Sequence, residues 1–129
     1  MKNNERYELG LKTLEELHGG HVGIQMVKDL QDVCPDFVTM IIEWSFGEVA
    51  SRKGIDFKTR ELVIIASCVT LGHVPAQLKA HIESAIKIGV TKQQIVEVIL
   101  QMSIYAGMAL TSNAFRVAKE VFIEMKVIN

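Results

Sequence analysis

Apolar residues recur along most of this chain at intervals of three and four, the spacing that places side chains on one face of an α-helix. The inward-facing residues of the first predicted helix, 4–18, are Tyr7, Leu11, Leu14 and Leu17. Glycine, proline and one Lys-Gly pair interrupt the pattern at Gly19-Gly20, Pro35, Lys53-Gly54, Gly72, Gly89 and Gly107. Short connections between amphipathic segments predict an all-α fold, a bundle of six to seven helices with no strand.

The stretch from Asp56 to Gly89 is the predicted centre of this bundle. Its first half, 61–71, is almost continuously apolar and predicts a helix hidden on nearly every side. Its second half carries His81 on the same stripe as Leu78 and Ala85, so one imidazole is expected to point inward. On pattern alone His81 could be an ordinary core histidine. Glu61 could equally be a carboxylate that the start of a helix favours whatever its function.

The composition excludes several classes of protein. The chain has 129 residues, is 49% hydrophobic and contains only two prolines, which predicts a single domain spanning 1–129. Its 14 basic and 15 acidic residues form no run of like charge, so neither nucleic acid nor a membrane surface is an expected partner. No apolar run reaches the length of a membrane span, and four of the first ten residues are charged where a signal peptide would be apolar. We therefore expect a soluble, cytoplasmic protein.

The two cysteines, Cys34 and Cys68, lack the spacing of a metal knuckle or a redox pair. Cys68 lies within the apolar run, where burial is expected to raise its pKa and keep it unreactive. We therefore expect two thiols that form no catalytic pair. No cluster of metal-ligating residues stands out, and no metal or cofactor is expected.

Four stretches strongly resemble the carboxymuconolactone decarboxylase family, and Arg6, Tyr7 and Gly10 extend the likeness to the start of the chain. They are WSFGEVASRKGIDFKTREL (44–62), QLKAHIESAIKIGVT (77–91), IVEVILQMSIYAG (95–107) and NAFRVAKEVF (113–122). The resemblance implies an all-helical subunit of the alkyl hydroperoxidase D-like type. It also implies a homo-oligomeric ring, commonly a trimer or hexamer, with sites near subunit contacts.

The family has two branches, and the residues here agree with neither completely. Members of the peroxidase branch resemble peroxiredoxins in activity and carry a Glu, then C-x-x-C about twelve residues later, then a His. Glu61 matches that acid and His81 that histidine, but His73 and Ala76 stand where the thiols belong. The interval from Glu61 to His81 is also one residue longer than in that pattern.

The decarboxylase branch acts in aromatic catabolism on a small lactone acid and needs no cofactor. His81 is then the candidate proton donor or shuttle, with Glu61 as its catalytic neighbour. Trp44 and Phe46 could form an apolar wall for the substrate, although both could simply be packing residues.

An arginine could anchor a substrate carboxylate in this branch, since a guanidinium binds a carboxylate through two parallel hydrogen bonds. Arg52 and Arg60 are the candidates. Arg60 could equally pair with a neighbouring carboxylate of the chain.

Three functions remain open at this point. The first is a cofactor-independent decarboxylase acting on carboxymuconolactone or a related small acid. The second is a thiol-based antioxidant enzyme, and the third is a non-catalytic oligomer that binds a small ligand. The roles of His73, Cys34 and Cys68 stay open with them.

Overall fold

The computed structural model describes residues 3–127, which form seven α-helices, one π-helical segment and no strand. The helices are α1 (Asn3–His18), α2 (Gly20–Leu30), α3 (Pro35–Met40), α4 (Phe57–Leu71), α5 (Pro75–Lys87), α6 (Lys92–Ala106) and α7 (Met108–Glu124). The π-helical segment, Ile41–Ala50, continues directly from α3. The predicted all-α class is confirmed, and none of the helices in 3–127 is both long and apolar enough to cross a membrane.

The chain divides into two compact units, one ending at Phe57 and the other beginning at Lys58. The first contains α1 to α3 and the π-helical segment, and the second contains nearly all of α4 together with α5 to α7. The single-domain organisation expected from the length stays a prediction.

Two glycines allow α1 and the π-helical segment to pack backbone against backbone. A Cβ atom at Gly10 would collide with the carbonyl oxygen of Ile42, and one at Gly47 would lie 2.5 Å from the carbonyl oxygen of Arg6. Arg6 also forms an ion pair with Glu48, with 2.8 Å between Nη2 and Oε1. Both glycines therefore lie at a close crossing between α1 and the π-helical segment.

The second unit holds a contiguous apolar core. Its fully buried members are Ile65, Val69, Leu78, Ile82, Ala85, Val90, Ile95, Ile99, Ala114, Ala118, Val121 and Phe122. A capping box begins α6, because the Thr91 hydroxyl accepts from the Gln94 backbone and the Gln94 side chain accepts from the Thr91 backbone.

Glycines end the helices of this unit where the sequence placed them. Gly72, Gly89 and Gly107 have φ values of +77°, +99° and +92°, a region that residues with a Cβ atom rarely enter. Helices α4, α5 and α6 therefore stop at or next to a residue that can turn the chain.

Helix α4 differs from its prediction in one respect. Glu61, Ile65, Cys68 and Val69 are buried, but Val63 and Leu71 are 55% and 57% exposed. The continuous apolar run made α4 look hidden on nearly every side, whereas within this chain only one face contributes to the core.

Candidate active site

Glu61 occupies an unusual position for a carboxylate. It lies in the second turn of α4, one turn before Ile65, and its side chain is 0% exposed. Carboxylates are almost never fully buried unless they are paired, because removing the charge from water is costly. A specific partner is therefore required.

That partner is His81, which lies on α5. The distance between His81 Nδ1 and Glu61 Oε2 is 2.8 Å, and the His81 side chain is 20% exposed. Leu78, Ile82 and Ala85 hold this face of α5 in the core, as the apolar stripe predicted. The inward direction predicted for His81 is confirmed. His81 and Glu61 form a hydrogen-bonded pair, so any catalytic role of one involves the other.

The hydrogen bond distinguishes the two ring nitrogens. With Glu61 ionised, Nδ1 carries a proton and donates it to the carboxylate, so Nε2 is the nitrogen that exchanges protons with other groups. The other carboxylate oxygen, Oε1, is buried and accepts no hydrogen bond from residues 3–127. Within 3–127 the hydrogen bond of the Glu61 carboxylate is therefore the one to His81, and it orients the imidazole.

Cys68 follows Glu61 by two turns of α4 and belongs to the same core. Its pKa is raised, first because burial disfavours the thiolate and second because the Glu61 charge opposes another negative charge. Cys34 is exposed in the first unit, and both cysteines are free. The prediction that Cys68 is a core residue is confirmed, and its low reactivity stays a prediction.

His73 stands where the peroxidase pattern has its first cysteine. Its side chain is exposed, and Nδ1 lies 2.9 Å from the carbonyl oxygen of Leu71, two residues earlier. It contacts the local turn between α4 and α5. An imidazole at this position cannot replace a peroxidatic thiol.

The four predicted substrate-binding residues fall into both units. Trp44 and Phe46 lie on the π-helical segment, where Trp44 is 62% exposed and Phe46 is half-buried. Arg52 follows that segment and is exposed, while Arg60 precedes Glu61 on α4 and is half-buried. Because Trp44 is exposed, it is not a core residue of this chain. The binding roles of all four residues stay predictions.

One buried titratable residue was missed in the sequence. His18, the last residue of α1, is 5% exposed, and its ring lies edge-to-face against that of Phe46. Its position one turn after Leu14 on the apolar face was a usable signal.

Comparison with known proteins identifies the family to which the chain belongs. Residues 35–120 match the model of the carboxymuconolactone decarboxylase family. Over 98% of the chain, the sequence is 35% identical to 94% of a 4-carboxymuconolactone decarboxylase from Acinetobacter baylyi. Both Glu61 and His81 lie within the part that matches the family model.

Two further relatives are more distant. An uncharacterized 15.0 kDa protein of Paracoccus denitrificans is 30% identical over 76% of this chain and 74% of its own length. A nitrosuccinic acid decarboxylase of Metarhizium robertsii is 27% identical over 92% of this chain and 82% of its own length. Two of these three relatives are therefore named as decarboxylases of small organic acids.

Proposed function

Because the chain belongs to the carboxymuconolactone decarboxylase family, we propose that it is a cofactor-independent decarboxylase of a small organic acid, with His81 as its proton donor. The observation that carries the proposal is the 2.8 Å hydrogen bond from His81 Nδ1 to the buried Glu61 carboxylate. An imidazole oriented in this way suits general acid–base chemistry near neutral pH.

The names of two relatives suggest what a substrate must contain. Carboxymuconolactone and nitrosuccinic acid each carry a carboxylate whose loss leaves an anion that a neighbouring group can delocalise. In the first that group is the conjugated lactone carbonyl, and in the second it is the nitro group. We propose that the substrate is a small carboxylic acid with such an electron-accepting group conjugated to the bond that breaks.

For a lactone acid the reaction balances without an oxidant or reductant. The bond between carbon and the carboxylate breaks, carbon dioxide leaves, and the electron pair moves through the double bond onto the lactone carbonyl oxygen. The dienolate then takes a proton at carbon from Nε2 of doubly protonated His81. Glu61 stabilises that imidazolium before transfer, and the imidazole is afterwards reprotonated from solvent.

The remaining predicted residues have roles in binding. Trp44 and Phe46 are proposed to offer apolar surface to the substrate, which disfavours water around the departing carboxylate. Arg52 or Arg60 is proposed to bind a second carboxylate of the substrate. Thiol peroxidase chemistry is not proposed, because the pKa of Cys68 is raised, whereas a peroxidatic thiol needs a lowered one.

The test is a screen of lactone acids and nitro acids for carbon dioxide release by the purified protein. With an active substrate, His81→Gln should retain the fold and lower kcat by about 10²- to 10⁴-fold, the usual size of acid–base assistance. His73→Gln is the matched control, because His73 is an exposed histidine whose ring forms a hydrogen bond with its own turn. Equal kcat for His81→Gln and the parent would remove His81 from the mechanism.

A further inference from the structure

His18 is a buried histidine that the proposed reaction does not use. It ends α1 with 5% of its surface exposed, and the next residue, Gly19, has a φ of +72°. The Gly19 backbone donates to the Glu15 carbonyl oxygen at 2.9 Å, so the end of α1 is held in place. A histidine buried at a helix end needs a structural or functional reason, because burying a polar ring is costly.

The aromatic neighbour of His18 in the first unit is Phe46. The two ring centroids lie 5.9 Å apart and the ring planes meet at 84°, an edge-to-face pair. This arrangement is favoured because the positive edge of one ring meets the negative face of the other. The contact therefore restricts the direction of the Phe46 ring as well as filling space.

Phe46 belongs to the π-helical segment Ile41–Ala50. π-Helical geometry is rare and occurs frequently at functional sites, so the direction of the Phe46 ring is of functional interest. α1 touches this segment through the Gly10–Ile42 backbone contact and through Arg6, which meets both Gly47 and Glu48. These contacts hold the backbone, but none of them reaches the Phe46 side chain. On the same helix, the His18 ring does contact the Phe46 side chain.

We propose that His18 is a positioning residue that holds the Phe46 ring and thereby sets the affinity for the apolar part of the substrate. The proposal rests on the binding role proposed above for Phe46, and it assigns His18 no proton transfer. Loss of the ring contact should weaken binding equally in the ground state and the transition state. It should therefore raise KM and leave kcat nearly unchanged.

Trp44 makes the positioning effect measurable without any substrate. It is the single tryptophan of the chain, lies two residues before Phe46 on the same segment, and is 62% exposed. Its emission and its quenching by acrylamide therefore report on the π-helical segment. Three variants separate the contributions of His18: His18→Ala removes the ring, His18→Gln keeps a polar group without a ring, and His18→Phe keeps a ring without polar nitrogens. Thr13→Ala, another buried position on α1, controls for general loosening of that helix.

We expect His18→Ala and His18→Gln to raise KM by about tenfold, the lower end for one lost contact in an apolar pocket, with kcat within about twofold of the parent. His18→Phe should recover most of the parent KM. The pH profile of kcat should be the same in all variants, because His81 is untouched. Quenching of Trp44 should increase in the alanine and glutamine variants and return to the parent level in the phenylalanine variant.

Several results would overturn the inference. A fall in kcat with a shifted pH profile would show that His18 itself transfers protons, and recovery by glutamine rather than phenylalanine would show that its polarity matters instead of its ring. Unchanged Trp44 quenching in His18→Ala would show that the segment does not depend on it. If the parent protein releases carbon dioxide from none of the acids, the proposed function and the effect on KM fall together. The fluorescence series still decides whether His18 holds the segment.

Discussion

At the scale of single residues, Glu61 is where stability and function should conflict. Its carboxylate is fully buried with one oxygen bound to His81 and the other without a hydrogen bond within 3–127. Glu61→Gln removes the buried charge while its amide oxygen can still accept from Nδ1. We expect the free energy of unfolding to stay within about 1 kcal/mol of the parent, and kcat to fall by about 10- to 100-fold because the imidazolium loses its counter-charge. Urea unfolding and carbon dioxide release measure the two effects, and unchanged turnover would separate Glu61 from the chemistry.

Cys68 provides a second prediction at this scale. Its raised pKa means that the folded protein holds the thiol proton more firmly than the unfolded chain does. The resulting stability is fully present below the unfolded pKa of about 9 and is lost as the pH rises through the folded value. At pH 8 a disulfide reagent should titrate exposed Cys34 rapidly and Cys68 only slowly, with Cys34→Ser leaving just the slow phase. The opposite result would be that both thiols react equally fast and that a hydroperoxide oxidises them with catalytic turnover. That result would favour a peroxidase.

At the scale of helices, the contact between α1 and the π-helical segment depends on Gly10. A Cβ atom there would collide with the backbone of Ile42, which cannot move as a flexible side chain would. Gly10→Ala should therefore cost about 2 kcal/mol of unfolding free energy despite alanine's better helix propensity. Gly54→Ala is the matched control, because a Cβ atom at Gly54 meets nothing within 4 Å, and its stability should change by less than about 0.5 kcal/mol. Equal midpoints in urea for the two variants would contradict the close packing.

The helices also show what sequence reasoning can reach. Helix ends were predictable because Pro35, Pro75, Gly72, Gly89 and Gly107 act through local backbone geometry. The π-helical form of 41–50 was not predictable, because its apolar pattern is that of an ordinary helix. Its packing against α1 involves residues more than thirty positions earlier in the chain.

The same limit applies to the candidate site. Glu61 and His81 could be nominated from the family spacing, and an inward His81 from its apolar stripe. Their 2.8 Å contact depends on how α4 and α5 pack, which no single helix pattern contains. From the sequence, His18 could be predicted only to lie on the apolar face of its helix. Its ring contact could not be predicted, because its partner Phe46 lies on another element.

At the scale of the whole molecule, the last two helices carry large apolar side chains that are exposed within this chain. An apolar ridge runs along α6 into the start of α7, formed by Leu100, Ile104, Tyr105 and Met108, with exposures of 51%, 75%, 81% and 76%. Monomeric proteins rarely expose large contiguous apolar patches, because the hydrophobic effect favours covering them. The ridge therefore supports the expectation that copies of this chain associate.

The last prediction tests that association through Ile104. The parent should show a light-scattering mass of about three or six times the 14.4 kDa chain at micromolar concentration, as a closed ring of identical subunits requires. Ile104→Glu places a charge in the middle of the apolar ridge and should lower that mass, because a charge buried without a partner is strongly unfavourable. Gln93→Glu adds the same charge at an exposed polar position of the same helix and should leave the mass unchanged. A parent of monomer mass would contradict the ring. A parent oligomer that both variants retain would place the subunit contact on another surface.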